Sequence, residues 1–183
     1  MSTHISDRYA SSVIGLHWLI ALLIVAAYAT IELKGIFPKG SDPRLLIKTI
    51  HYGLGLSVLG LLSLRILSRV LSQTPTIVPT LPKAQHLLSQ LMHLTLYGFM
   101  LAMPLLGWLL VSAKGEQVQI FGLHLPALIV ENLELEDLLE DLHETLGSVG
   151  YGLIGLHALA ALFHHYIQRD NTLTRMLPWL KHR

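Results

Sequence analysis

Four long apolar runs, at about 11–33, 47–71, 86–111 and 143–167, leave this chain of 183 residues few ways to fold. Each holds the roughly 20 residues that an α-helix needs to cross the ~30 Å hydrocarbon core of a membrane. A soluble bundle would have to hide four such helices on all sides, which takes a much larger protein. With 52% hydrophobic and only 14% charged residues, the composition points the same way. The expected fold is all-α, an integral membrane four-helix bundle forming one domain over 1–183. The leading MSTHISDRYASSV has one arginine and one aspartate before the first run, with no small-residue cleavage site after it, so that run is expected to be a retained span.

The last run reads HETLGSVGYGLIGLHALAALFHHYI from His143 to Ile167. Fourteen positions separate His143 from His157, which on an α-helix is about 1400° of rotation and ~21 Å of rise. Both rings therefore leave one face, at two depths of one membrane. A tetrahedral metal needs clustered ligands, whereas two distant rungs on a spanning helix suit two separate bis-histidine haems. Zero cysteine excludes disulfides, thiol redox chemistry, iron–sulfur ligation and covalent haem attachment. Any haem would thus be held through non-covalent ligands.

Charge sets the orientation. With four spans the two termini share a side, and that side holds Arg8, Arg65, Arg69, Lys83, Arg169, Arg175, Lys181 and Arg183. The opposite side holds Lys34, Lys39, Arg44, Lys48 and Lys114, with ten of the twelve acids. The basic excess places the termini in the cytoplasm and the acidic stretch Glu134 to Glu144 outside. Chain direction then pairs the histidines by depth: His51 with His143 at the outer level, His17 with His157 at the inner one. His93 lies at nearly the depth of His17 and competes for His157, or serves as a neighbouring, quinone-facing residue. A lone histidine in a span is as often a helix-to-helix hydrogen bond as a ligand; four at matched depths favour ligation. Glycines beside them, Gly15, Gly53, Gly55, Gly147, Gly150, Gly152 and Gly155, leave room for a porphyrin, although such stripes also serve bare helix packing.

Arg65 and Arg69, at the far end of the second run, are placed to snorkel or to meet an acidic haem edge. Pro75, Pro79 and Pro82 make the next linker extended, and Pro104 predicts a kink in the third span. Residues 112–141 are the only room for a small extramembrane cap, apolar early and acidic late, expected to lie on the surface. The tail QRDNTLTRMLPWLKHR, with Trp179, reads as a short basic helix on anionic lipid. His164 and His165, two turns beyond His157, are either polar anchors at the rim or proton carriers.

These blocks together resemble the bacterial cytochrome b561 family of inner-membrane dihaem cytochromes. The resemblance spans almost the whole chain: GLHWLIALLIVAAYATIELKGIFPKG around His17, IHYGLGLS around His51, MHLTLYGFMLAMPLLGW around His93, the His143–Ile167 block and the tail RDNTLTRMLPW. It implies a four-helix bundle with two b-type haems, one on His17 and His157 and the other on His51 and His143. It also implies that superoxide is oxidised to oxygen outside while electrons pass through the haems to ubiquinone, making the chain a superoxide:ubiquinone oxidoreductase of the bacterial inner membrane. Lys34, Lys39, Arg44 and Lys48 are the basic set available to steer superoxide inward. The expected partners are ubiquinone, superoxide and membrane lipid, with no nucleic acid and no obligate protein partner. The alternatives are a passive cytochrome subunit carrying electrons between a dehydrogenase or hydrogenase and quinone, and a histidine-lined metal transporter.

Overall fold

In the computed structural model, which describes residues 8–120, 122–177 and 179–180, one helix covers each apolar run. These are α1 Ser11–Lys34, α2 Asp42–Leu71, α3 Lys83–Ala113 and α4 Leu133–Phe163, the last continued by a π-helical turn over His164–Gln168. All four are long and apolar enough to cross a membrane. Their apolar side chains point outward as well as inward: Leu22, Val25 and Val70 are 64%, 63% and 76% exposed, which suits lipid and not water.

The helices run past their apolar runs because their caps lie outside. Asn132 accepts a hydrogen bond from the Leu135 amide at 3.0 Å, and Glu134 and Glu136 occupy the positive first turn of α4. The acidic stretch expected along the surface is therefore the start of α4. The cap over this end is a small hairpin, β1 Gln119–Ile120 and β2 Leu123–His124, with Ile120 opposite Leu123. At the same end the Arg44 guanidinium donates to the Lys34 and Phe37 carbonyls, both at 2.9 Å, and closes α1. α3 stays helical through Pro104. One missing amide in a helix of 31 residues leaves the rest of its ladder in place.

α1 packs along α2, α2 against α3, and α3 against α4. Among the described residues α4 has no Cα within 8 Å of one in α1 or α2. Ile20, Val58, Leu62 and Met100 form the buried core shared by the first three helices. Across the gap to α4 the Tyr28 hydroxyl donates to the Gly147 carbonyl at 2.8 Å, and the Tyr151 hydroxyl to Glu32 Oε1 at 2.8 Å. The two tyrosine rings meet at 4.2 Å.

The tail departs from the sequence expectation. No surface helix forms in its described residues: Arg169 takes φ 56°, which ends the helix, and the chain turns back onto the bundle. Asn171 then binds the proline linker, its side chain accepting from the Val78 amide at 2.9 Å and donating to the Thr76 carbonyl at 3.1 Å. Arg175 donates to the Pro75 carbonyl at 2.6 Å and is only 6% exposed.

Gly150 is where this packing is least forgiving. A Cβ there would clash with the Tyr28 hydroxyl oxygen and Phe99 Cζ, whereas one at Gly60 meets nothing within 4 Å. Gly150→Ala should therefore cost about 1–3 kcal/mol of stability by overpacking, and Gly60→Ala should be neutral or slightly stabilising. Thermal unfolding of both purified variants in one detergent checks the contrast.

Candidate functional site

The fourteen-residue spacing in α4 puts its two histidines opposite rings from other helices at two levels. His51 of α2 and His143 have ring centroids 6.2 Å apart at 83°. His17 of α1 and His157 stand at 6.3 Å and 74°. An iron bonded at ~2 Å to one nitrogen of each of two imidazoles would hold their centroids about 6 Å apart, so both pairs fit a bis-histidine haem. His93 of α3 also approaches His157, at 5.8 Å and 67°. It is the geometric competitor of His17, as the sequence expectation had it. Among the described residues no three His, Asp or Glu side chains gather as a bare metal ion would need. The arrangement is one of pairs.

The surroundings of each ring decide which nitrogen is free. His51 Nδ1 lies 3.1 Å from the Ala27 carbonyl and 3.0 Å from Thr30 Oγ1. A proton held on Nδ1 leaves Nε2 as the ligand, the usual way a neighbouring acceptor fixes a metal-binding imidazole. His143 Nδ1 is buried without a hydrogen-bond partner among the described residues, and Gly107 makes room for it, since a Cβ there would meet His143 Cε1 at 3.2 Å. Between His51 and His143 lies a cavity of ≈ 470 Å³, walled by Tyr28, Gly55, Met103, Gly107 and Gly147, within the range of cofactor sites. The glycines near the histidines divide into two kinds. Gly147 and Gly150 are packed against Met103, Tyr28 and Phe99, while Cβ atoms built at Gly15, Gly53, Gly55, Gly152 and Gly155 meet nothing within 4 Å. Of those five, Gly55 lines the cavity.

The basic set at the cavity's polar end is less free than its sequence suggests. Lys48 is paired with Glu116 at 2.9 Å and lies 5.6 Å from the Tyr52 ring centre. Arg44 is committed to carbonyls at the end of α1. Lys34 lines the cavity, and Lys39 is exposed on the connecting loop. Lys114 also lines the cavity, paired with Glu140 at 2.7 Å and Glu136 at 3.4 Å. Burial pushes the Lys114 ammonium down, but its bonds to Glu140 and Glu136 outweigh that and hold its pKa above the ordinary value. Sequence reading counted Lys114 only as an orientation charge; its i, i+4 acidic partners on α4 were the available signal.

The other end is built from arginines. Arg65 stacks 5.4 Å from the Tyr97 ring centre, and Arg69 and Arg175 lie 4.8 Å and 5.3 Å from that of Tyr9. Arg69 also donates to Thr74 Oγ1. Beside them His164 Nδ1 meets Asp170 at 2.5 Å, and Asp170 accepts from the Thr172 amide at 2.8 Å. Burial alone would raise the Asp170 carboxyl; the bonds from Thr172 and His164 hold it below its ordinary value. His165 is buried rather than set at an exposed rim. Trp18, next to His17, donates to the Met176 carbonyl at 2.9 Å and ties the tail to α1.

Comparison with known proteins shows the family. A sequence model of prokaryotic cytochrome b561 matches residues 8–179. Cytochrome b561 homolog 1 of Escherichia coli (strain K12) is 42% identical over 172 residues, covering 94% of this chain and 98% of that protein. A Yersinia pestis protein described as probable superoxide oxidase CybB is 39% identical over 171 residues, 93% of this chain and 96% of its own. Cytochrome b561 homolog 2 of Escherichia coli (strain K12) is 28% identical over 183 residues, covering 96% and 94%. A membrane bundle of four helices, with paired histidines at two depths and a family match over nearly its whole length, belongs to the prokaryotic cytochrome b561 family, the haem-binding membrane electron-transfer proteins.

Proposed function

We propose that this chain oxidises superoxide at the outer face of the bacterial inner membrane and passes the electrons to ubiquinone, with both termini in the cytoplasm. The observation that carries the reading is the two histidine pairs facing each other at two depths along α4; the name of the Yersinia pestis relative supplies the substrate. Two superoxide ions each give up one electron and leave as oxygen, while one ubiquinone takes two electrons and two protons to become ubiquinol. The two b-type haems, when bound, supply the one-electron chemistry.

The chain's own part is binding, orientation and charge. His51 and His143 would hold the outer haem and His17 and His157 the inner one, with Ala27 and Thr30 fixing the His51 tautomer. Tyr28 and Tyr151 tie α4 to α1 at the positions between the two rungs. Lys34 and Lys39 raise the local concentration of a small anion at the outer mouth, helped by Lys48 to the extent that Glu116 leaves its charge unbalanced. Arg44 shapes that mouth by closing α1. His164, braced by Asp170, and His165 carry protons at the cytoplasmic end, where quinone reduction consumes them.

Pyridine haemochrome analysis should find two b haems per chain, both released by acidic acetone. His51→Ala and His143→Ala should lose the same haem, and His17→Ala and His157→Ala the other. Loss of a haem in His93→Ala with retention of both in His17→Ala would reassign the inner ligand to His93.

The substrate is tested by stopped-flow haem reduction after a superoxide pulse, with catalase present and salt varied. Lys34→Gln with Lys39→Gln should slow reduction severalfold at low salt and less at high salt, since the Debye length is about 10 Å at 0.1 M. Glu116→Gln should act in the opposite sense and speed capture by freeing Lys48. Reduction by ubiquinol should be unchanged in both. Slow rates in the wild type, indifferent to salt and to these substitutions, would remove superoxide as substrate and leave a passive electron carrier.

A further inference from the structure

From Pro43 to Gly115 the sequence has no acidic residue, and from Thr145 to Arg183 it has only Asp170. Into this acid-poor end the fold brings three guanidiniums. Arg65 comes from α2 and stacks on Tyr97; Arg69, one turn later, and Arg175, from the tail, share Tyr9. Arg175 is only 6% exposed. One of its terminal nitrogens reaches the Pro75 carbonyl, yet its Nε has no hydrogen-bond partner, and neither has the buried Nε of Arg65. Asp170, the acid at hand, is already engaged by His164 and by the Thr172 amide. One buried and two half-buried guanidiniums of like charge, two of them with an idle Nε, call for an anion, because an unpaired charge withdrawn from water is more costly than a paired one. The cluster stands at the inner histidine level: Arg65 follows His51 on α2 by the same fourteen residues that separate His157 from His143 on α4.

We infer that Arg65, Arg69 and Arg175 form an oxyanion site that receives the propionate carboxylates of the haem at the inner histidine level. The inference rests on the proposed His17–His157 haem and adds the C-terminal tail to its binding site. Planar guanidiniums match carboxylates through paired N–H donors, and a haem b presents two carboxylates on one edge. The tail's return onto the bundle is then part of cofactor binding, since Arg175 reaches the site only through the turn at Arg169 and the Asn171 bonds to the proline linker. A lipid phosphate has the same donor preferences, so the test separates the two sources.

The holoprotein is prepared with haem carrying ¹³C in its propionate carboxyls and set in nanodiscs of phosphatidylcholine, with or without phosphatidylglycerol. Redox titration and redox-difference infrared spectra are recorded for wild type and Arg175→Gln. Removing a positive charge beside the carboxylates should lower the midpoint potential of one haem and leave the other unchanged. The ¹³C-sensitive carboxylate band should move in either lipid, and Arg175→Lys should recover most of the potential but not the band. Two haems with unaltered potentials in Arg175→Gln would overturn the inference while leaving the dihaem reading intact. A shift that needs phosphatidylglycerol, with the labelled band unmoved, would overturn it in favour of a headgroup. A wild type holding one haem would instead remove the reading beneath it. Arg65→Gln, read in the same way, serves if Arg175→Gln does not accumulate.

Discussion

The structure turns on a separation. The last helix leans on α3 alone and stays clear of the first two, so whatever ties the halves together must reach across by side chain or cofactor. The histidine pairs sit in that opening, and so do Tyr28 and Tyr151. In lipid no hydrophobic force closes such a gap, because hydrocarbon competes equally for apolar side chains. Packing, hydrogen bonds and metal ligation are left to define the distance. Glycines at the crossing points then set how near a ring or a hydroxyl comes, which is why Gly150 is filled to contact while Gly53 and Gly55 stand open.

The two ends of the bundle solve electrostatics differently. At the hairpin end three cations have an acid or a carbonyl: Lys48 with Glu116, Lys114 with Glu136 and Glu140, Arg44 with the end of α1. Those pairs are partly exposed, and each adds little to stability by itself. They hold side chains in place around an opening. At the end that carries the termini the cations outnumber the acids, and Arg65, Arg69 and Arg175 are stacked on aromatic rings instead.

Much of this was legible in the sequence because the periodicity of a spanning helix is strict. His143 and His157 on one stripe, and the direction of each span, led to the same facing rings that the structure contains. Helix ends were less legible, since an apolar run marks the membrane and not the cap; Asn132 with Glu134 and Glu136 was the signal that α4 starts earlier. The tail was misread for a physical reason. A basic segment with a tryptophan has the composition of an interfacial helix, and composition does not reveal that Arg169 adopts a left-handed conformation and sends the chain inward. Arg175 and Lys114 share that history: each looked like a topology charge, and each is held by partners distant in sequence.

The clasp between the tail and the proline linker also orders the protein's biogenesis. Asn171 and Arg175 follow all four helices in the chain, yet they bind Thr76, Val78 and Pro75 in the connection between the second and third. At a synthesis rate of about 5–20 residues per second, that connection waits for its partners while the later helices are made and inserted. Until they emerge, the stacked ring of Tyr9 and the arginines around it lack their last member. The contacts that complete this end can therefore form only after the last helix has been made.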